Sequence, residues 1–340
     1  MTDVPHWSDP GAFEVAPGIH RIPLPLPMDG LKAVNVYVIE TSEGLTLVDG
    51  GWALEVARDL LEKSLNSIGH HPRDITSFLV THMHRDHYTQ AIAIRREFGR
   101  AVVSLGVGER PALEVINSAT TDPRIEPLVK AGAHDLAVQM RALNELEEFS
   151  RENWEFPDVW LDQDPVIDVG ERTLHAIHTP GHTRGHFVFA DLDNDLLFAG
   201  DHVLPTITPS IGLEPAHAAL PLADFLSSLL RVRELPDLRL LPAHGAPDRR
   251  SHERVDELLA HHDHRLAICA AAVSPEGSSA QDVARRITWT RHERSYAELD
   301  PFNQALACTE TMTHLDLLVH QGRLSSRLDG GTLVYSPASA

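Results

Sequence analysis

Three histidines and one aspartate lie close together at the end of an apolar segment. The run from Phe78 to Val80 has the character of a buried strand, and His82, His84, Asp86 and His87 follow it. Alternate side chains of a strand point the same way, so His82 and His84 should converge on one point. Asp86 and His87 then pass through a turn and can face a second point beside the first. Imidazole and carboxylate groups suit zinc, and iron or manganese almost as well, so this spacing predicts a metal site rather than a polar loop.

Three further segments with candidate ligands occur later in the chain, each shortly after a largely apolar run. The first contains His178 and His182, the second Asp201 and His202, and the third His244. The ends of buried strands are expected at these places. The Thr-Pro-Gly sequence before His182 predicts a tight turn, in which Gly181 can adopt backbone angles that a side chain would forbid. His178, just before this turn, is expected to support the site rather than to bind metal.

The whole pattern, HxHxDH followed by single His, Asp and His residues, resembles the metallo-β-lactamase superfamily and, within it, the binuclear hydrolases of the glyoxalase II type. The resemblance runs from about Asn35 to His244, and its ligand positions occur in the order of the family. It implies an α/β fold, the αββα sandwich, in which two mixed sheets pack face to face with helices outside.

The resemblance also implies two metal sites that share one carboxylate. The first would be formed by His82, His84 and His182. The second would be formed by Asp86, His87 and His244, with Asp201 bridging the two ions. The implied cofactors are two divalent ions, zinc first and iron or manganese as alternatives, with a bridging hydroxide as the nucleophile. Asp86 and Asp201 are the expected catalytic carboxylates, Asp86 through proton transfer. Asp49 is expected beneath the metals, where its hydrogen bonds would orient the ligand-bearing loops.

Composition limits the classes of protein that this sequence can encode. The chain has 340 residues, 42% of them apolar, and a formal net charge of −20. This length allows a large core and more than one domain. The negative charge argues against a nucleic-acid-binding surface. Cys269 and Cys308 indicate neither a disulfide framework nor a zinc knuckle. With no apolar leader and no membrane-spanning stretch, we expect a cytoplasmic protein without a membrane partner.

Hydrophobic periodicity predicts the elements that position the metal motif. Gly18 to Ile22 is expected as an edge strand, and Val34 to Ile39 and Leu45 to Val48 as a pair of strands. Ala53 to Ile68 and Tyr88 to Phe98 are expected as helices, the second ending at Gly99. Of the many histidines outside the motifs, those at 70, 71, 261, 262 and 264 are expected on the solvated surface.

Residues 107–151 show a different, helical pattern, which indicates an insertion into the catalytic domain at 1–272. This insertion is expected near the mouth of the active site, as a lid over an apolar substrate or as a contact in a homodimer. Ordinary core packing is the alternative.

Residues 273–340 are expected to form a separate small domain after a linker at 273–279. Two helices, at 280–287 and 302–322, precede a hairpin at 324–335, and this order resembles the winged-helix tail of some members of the superfamily. From residue 276 onward the segment holds six arginines, no lysine and eight acidic residues. This excess of negative charge does not favour the binding of nucleic-acid phosphates. A packing, dimerising or pocket-closing role is favoured over nucleic-acid binding.

The leading hypothesis is a binuclear metallohydrolase that cleaves a small thioester, ester or lactone, as hydroxyacylglutathione hydrolase and related thioesterases or lactonases do. The alternatives are an endoribonuclease or phosphodiesterase, a mononuclear iron persulfide dioxygenase, and a non-catalytic ligand sensor. The complete ligand set argues against the sensor. Asp201 and the polar N-terminus argue against a secreted antibiotic-degrading lactamase.

Overall fold

The computed structural model describes residues 6–27, 30–119, 123, 125–146, 152–290 and 292–338. They form two β-sheets that pack face to face, with helices on the outer faces and a C-terminal hairpin. Within these ranges no helix is both long enough and apolar enough to cross a membrane. The expected α/β class and αββα sandwich are confirmed.

The first sheet contains seven strands in the order of the chain. They are β1 (Phe13–Ala16), β2 (Ile19–Pro25), β3 (Ala33–Thr41), β4 (Gly44–Val48), β5 (Ile75–Leu79), β6 (Val102–Gly106) and β7 (Val159–Leu161). Neighbours from β1 to β4 are antiparallel, and neighbours from β4 to β7 are parallel.

The second sheet contains five strands. They are β8 (Val166–Val169), β9 (Arg172–His178), β10 (Phe187–Asp191), β11 (Leu196–Gly200) and β12 (Arg239–Pro242). Strands β8 to β11 form an antiparallel meander, and β12 pairs parallel to β11. Strands β9, β11 and β12 therefore run in the same direction, and their carboxyl ends lie at one edge of the sheet.

Nine α-helices flank these sheets in the described part of the chain. They are α1 (Glu55–Ser67), α2 (Arg85–Phe98), α3 (Arg110–Ser118), α4 (Ile125–Lys130), α5 (His134–Leu146), α6 (Pro221–Arg233), α7 (Ser251–Ala272), α8 (Ala280–Arg286) and α9 (Pro301–His320). The C-terminal hairpin consists of β13 (Leu324–Asp329) and β14 (Thr332–Pro337).

Three apolar clusters account for this layering. Along β10, Phe187 and Phe189 belong to the cluster between the sheets, whereas Val188 and Ala190 belong to the cluster under the second sheet's helices. Alternate strand residues point to opposite faces, so a strand buried on both faces is apolar throughout. The third cluster joins the outer face of the first sheet to α1, α2 and α3.

The part of the insertion after α3 packs with the C-terminal segment against the helices of the second sheet, whereas α3 packs on the first sheet. Helices α4, α5, α8 and α9 and the hairpin contribute to the same apolar cluster as α6 and α7. The expected helical character of the insertion is confirmed for its described residues; 120–122, 124 and 147–151 lie outside them. The expected tail helices and hairpin are present, while the winged-helix resemblance and the domain boundary at 272 remain predictions.

Some local expectations are corrected by the structure. The strand at 18–22 is not an edge strand, because the short β1 pairs with β2 on its free side. Asp86 and His87 do not lie in a turn, because α2 begins at Arg85 and holds both in its first helical turn. His262 is not at the surface: it is fully buried on the inner face of α7.

Candidate metal centre

The seven predicted ligands meet at the strand ends that face one edge of the sandwich. His82 and His84 follow β5, and Asp86 and His87 open α2. The others follow strands of the second sheet: His182 after β9, Asp201 after β11 and His244 after β12. The structure brings all seven into two adjoining groups, one of His82, His84, His182 and Asp201, the other of Asp86, His87 and His244.

Three imidazole nitrogens form a small triangle in the first group. His82 Nε2 lies 3.0 Å from His84 Nδ1 and 3.2 Å from His182 Nε2, and His84 Nδ1 lies 3.0 Å from His182 Nε2. Nitrogen ligands at about 2.0–2.1 Å from a tetrahedral zinc ion stand roughly 3.3 Å apart. The triangle therefore has the dimensions of one face of a tetrahedral site.

The second group has similar dimensions and contains both imidazoles and carboxylates. Asp86 Oδ2 lies 3.6 Å from His87 Nε2 and 3.5 Å from His244 Nε2. Asp201 Oδ1 lies 3.6 Å and 3.3 Å from the same two nitrogens. The other oxygen of Asp201, Oδ2, lies 3.5 Å from His182 Nε2 in the first group. Asp201 thus offers one carboxylate oxygen to each group.

Several of these atoms are buried and lack a hydrogen-bond partner. They include His87 Nε2, His244 Nε2 and Asp201 Oδ1, all directed at the second group. Burying such atoms without a partner costs free energy, and native proteins rarely do so without a ligand. The donor set, its spacing and its unpartnered atoms therefore fit two divalent metal ions.

The remaining ring nitrogens of the histidines are held by hydrogen bonds. His182 Nδ1 donates to the carbonyl oxygen of Ser210 at 2.7 Å, and His244 Nδ1 donates to that of Ala33 at 2.8 Å. These contacts place the proton on Nδ1 and leave Nε2 with a free lone pair toward the metal position.

Asp49 holds two more histidines, in the position expected from the sequence. Its Oδ1 accepts from the backbone nitrogen and the hydroxyl of Thr81 at 2.8 Å and 2.9 Å. Its Oδ2 accepts from His87 Nδ1 at 2.9 Å. Because the Thr81 hydroxyl donates to Asp49, its oxygen can accept from His82 Nδ1, which lies 3.0 Å away. One buried carboxylate thus sets the tautomer of a histidine in each group.

Asn35 ties the second sheet's ligand loop to the first sheet. Its side-chain nitrogen donates to the carbonyl oxygens of Pro242 at 3.0 Å and Gly245 at 2.9 Å. The Tyr37 hydroxyl donates to Pro242 at 2.8 Å, and Arg21 donates to Asn35 Oδ1 at 2.9 Å. These contacts fix the loop that carries His244.

The two groups differ in their electrostatics. Burial lowers the pKa of His84 to about 3 and that of His182 to about 4, and holds the pKa of His82 well below its ordinary value. These imidazoles are neutral at pH 7, as metal ligation requires. Burial also opposes the charge of His87, but Asp49, Asp86 and Asp201 outweigh it and raise the pKa of His87 to about 10.

Asp86 stays ionised in this surrounding. Burial by itself would raise the pKa of Asp86, but the neighbouring His87 and His244 bring it well below its usual range. The second group therefore attracts positive charge, and a bound cation would replace the proton on His87 Nε2.

Two buried glutamates accept hydrogen bonds from the loop that carries His182. Glu109 accepts a hydrogen bond from the Thr183 hydroxyl at 2.5 Å, and Glu214 accepts from the backbone nitrogen of Arg184 at 2.9 Å. Burial raises the pKa of Glu109 to about 7 and that of Glu214 to about 8. Gly185 allows the loop of His182 to lie directly against Glu109, because a Cβ at Gly185 would be 2.4 Å from the backbone nitrogen of Glu109.

His186 positions the shared carboxylate. Its Nε2 accepts a hydrogen bond from the backbone nitrogen of Asp201 at 3.2 Å, and its Nδ1 contacts the Thr179 hydroxyl at 2.9 Å. The motif gave no sign of the contacts made by Thr81, Ser210, Glu109 and Glu214. Most of the partners lie far apart in sequence, and the acceptor at Ser210 is a backbone carbonyl, which any residue can supply.

Comparison with known proteins agrees with this geometry. The family model described as "Metallo-beta-lactamase superfamily" matches residues 29–244. A beta-lactamase domain protein from Burkholderia ambifaria is 27% identical, with a TM-score of 0.82 over 99% of this chain and 97% of that one. A metallo-beta-lactamase family protein from Thermus thermophilus is 26% identical, with a TM-score of 0.79 over 95% of this chain and all of that one.

Curated relatives include proteins with named activities. Lactamase-like protein aptB of Emericella nidulans is 25% identical over 82% of this chain and 73% of that protein. Hydroxyacylglutathione hydrolase of Rhizobium johnstonii is 26% identical over 48% of this chain and 45% of that protein. Acyl-coenzyme A thioesterase MBLAC2 of Homo sapiens is 29% identical over 40% and 47%. The chain thus covers less than half of the two relatives whose names state a reaction.

Proposed function

The chain belongs to the metallo-beta-lactamase superfamily, and from that premise we propose that it is a binuclear metallohydrolase that cleaves a small thioester, ester or lactone. The observation that carries this proposal is Asp201, whose two oxygens face one ligand group each. Relatives named as a hydroxyacylglutathione hydrolase and an acyl-coenzyme A thioesterase support a thioester as the first substrate class to test.

The proposed ligands are the seven residues predicted from the sequence. His82, His84 and His182 would hold the first ion, and Asp86, His87 and His244 the second, with Asp201 between them. Two such divalent ions, zinc being the first candidate, would supply hydroxide at neutral pH and polarise a carbonyl oxygen. Asp49 and the carbonyl groups of Ser210 and Ala33 orient the imidazoles that face them.

Asp86 is the proposed proton acceptor. Its carboxylate is ionised and is the more exposed of the two catalytic candidates, with 15% of its side chain accessible against 10% for Asp201. In the overall reaction the oxygen of water bonds to the acyl carbon and the carbon–sulfur bond breaks. The products are a carboxylate and a thiol, one proton passing to the leaving sulfur and one to solvent.

The two alternative activities, nucleic-acid cleavage and mononuclear iron chemistry, have less support. A nucleic-acid substrate would require free cations, but Arg286 donates to the Ala272 carbonyl oxygen and Arg327 pairs with Asp329. A mononuclear iron enzyme would leave the second group unused, although its unpartnered nitrogens are buried. We therefore rank both behind carbonyl hydrolysis.

A parallel assay tests the proposal. The metal-loaded protein would be assayed on acyl thioesters, a lactone and single-stranded RNA, with metal content measured per chain. We expect thioester hydrolysis and two ions per chain, both reduced in Asp201→Ala because the shared ligand is lost. Asp193→Ala, which removes an exposed carboxylate from the turn between β10 and β11, is the matched control and should keep both.

Each of three results would contradict the proposal. RNA cleavage without thioester hydrolysis would favour the phosphodiesterase, and one iron per chain would favour the mononuclear enzyme. Full turnover by metal-free protein would overturn the mechanism altogether.

A further inference from the structure

The loop that joins β6 to α3 packs directly against the loop that follows β9. A Cβ on Gly106 would overlap the carbonyl oxygen of Gly185, and one on Gly108 would lie 2.5 Å from the carbonyl oxygen of Arg184. One on Gly185 would lie 2.6 Å from Cγ of Glu109. Contacts this short exclude a side chain at each of the three glycines, so the backbones of the two loops meet without a layer of side chains between them.

Glu109 extends from the first of these loops into the junction, where donors from two other segments face its carboxylate. It is fully buried and accepts a hydrogen bond from the Thr183 hydroxyl at 2.5 Å. Burial raises the pKa of Glu109 to about 7, against the opposing effect of hydrogen bonds from this hydroxyl and from the backbone N–H groups of Met83 and Gly185. One carboxylate thus connects the loop after β5 to the loop after β9.

These two loops carry the first ligand group. Met83 lies between the two histidines that this group takes from the HxHxDH motif, and Thr183 directly follows its third histidine. The preceding strands, β5 and β9, belong to different sheets, so the separation of the loops depends on contacts between the two halves of the sandwich. Glu109 supplies such a contact within one residue of each of the three histidines.

The separation of the loops decides whether the first group can hold an ion. Its three nitrogens lie 3.0–3.2 Å apart, and a metal–ligand distance tolerates a deviation of only about 0.2 Å. Residues that hold the ligands of a metal contribute to its affinity although they do not touch it. Glu109 is such a residue by its position, as Asp49 is for His87 in the second group.

We propose that Glu109 is a positioning residue for the first metal ion, whose carboxylate binds both ligand loops and so holds His82, His84 and His182 at the spacing that one ion requires. The inference rests on the proposed function in so far as the first group is a metal site. It assigns the control of one ion, and not of the other, to a carboxylate outside the ligand motif. Zinc affinity measures this control without any substrate.

The test measures zinc affinity by chelator competition at pH 8, where the carboxyl group of Glu109 is mostly ionised. Two variants of the full chain separate the ions: His244→Ala leaves only the first group complete, and His84→Ala leaves only the second. Glu109→Gln keeps the size of the side chain but turns an amide donor toward other donors. We expect it to lower zinc affinity by about 10- to 100-fold in the His244→Ala background and to leave it unchanged in the His84→Ala background.

Glu114→Gln, on an exposed position of α3, is the matched control and should leave zinc affinity unchanged in both backgrounds. Thr183→Val removes one donor to Glu109 and serves in case Glu109→Gln fails to fold. It should weaken zinc binding at the first group by a smaller factor, whereas Thr183→Ser keeps the hydroxyl and should retain the parent affinity. A role in packing alone predicts the reverse order, because valine fills the space of threonine and serine does not.

Several results would overturn the inference. They are equal losses of zinc affinity in the two backgrounds, unchanged affinity of Glu109→Gln in the His244→Ala background, and no zinc binding by His244→Ala itself. The two proposals fail in distinguishable ways. Selective loss of zinc from the first group without thioester hydrolysis by the parent protein would support this inference and contradict the proposed function. Thioester hydrolysis by a protein whose zinc affinity does not respond to Glu109→Gln would do the reverse.

Discussion

Asp49 controls the metal-facing nitrogen of His87 from the opposite side of the ring. Its carboxylate accepts the hydrogen bond from His87 Nδ1, so that the proton a bound cation would displace is the one on Nε2. An asparagine that kept the bonds from Thr81 through its oxygen would turn its amide toward His87 and donate a proton instead. His87 would then carry its proton on Nε2, where the proposed second ion would bind.

Asp49→Asn is therefore expected to weaken metal binding at the second group by about 10- to 100-fold while leaving the fold intact. Chelator competition at fixed pH, followed by metal analysis, measures the effect. Asp59→Asn, on an exposed position of α1, is the matched control and should behave as the parent protein. Unchanged affinity in Asp49→Asn would show that Asp49 does not set the tautomer.

At the scale of elements, the turn before His182 must fit against helix α6. Gly181 has φ of 136°, and a Cβ there would lie 2.4 Å from Cα of Phe225 and 2.5 Å from its nitrogen. These are backbone atoms of α6, which cannot move aside as a side-chain tip could. The turn therefore combines backbone strain with a steric conflict for any larger residue.

Gly181→Ala should lower the free energy of unfolding by about 2–6 kcal/mol, the sum of strain and overpacking. Gly69→Ala is the matched control, because Gly69 has φ of 86° but a Cβ added to it would meet no atom within 4 Å. It should show only the strain, about 1–3 kcal/mol. Urea unfolding of both variants measures the difference, and equal losses would rule out the steric conflict with α6.

Some features of the structure could be predicted from local sequence, and others could not. Strands, helices and the HxHxDH motif depend on short-range patterns, and the sequence predicted them. His262 was misplaced although a signal existed: Val255, Leu258, His262 and Leu266 recur at helical spacing on the buried face of α7. Contacts such as His182 to Ser210 depend on how distant segments pack, and no local pattern carries that information.

At the scale of the whole molecule, one apolar cluster crosses the predicted domain boundary. It contains Leu229 of α6, Leu258 of α7, Leu318 of α9 and Tyr335 of the hairpin. Domains that unfold separately usually share only small, more polar interfaces. The C-terminal segment therefore has no apolar core of its own among the described residues.

We expect the protein to unfold in one cooperative transition despite its length. Circular dichroism and tryptophan fluorescence should give coincident urea curves for the parent protein at saturating metal. The fluorescence curve of Trp289→Phe, which reports only on the remaining tryptophans, should coincide with the circular dichroism curve of the same variant. Two separate transitions would establish the segment from 273 onward as an independent domain.

The link between Asn35 and the loop of His244 also dictates when the metal centre can form during synthesis. Asn35 contacts Gly245 across 210 residues, and His244 contacts Ala33 across 211. Between translation of His87 and of His244 the ribosome adds 157 residues (244 − 87), which takes about 8–30 s at 5–20 residues per second. The nascent chain carries Asp86 and His87 throughout this interval without the partner that completes their site. Capture of a second ion would consequently be a late event, which follows the closure of contacts that span 210 and 211 residues.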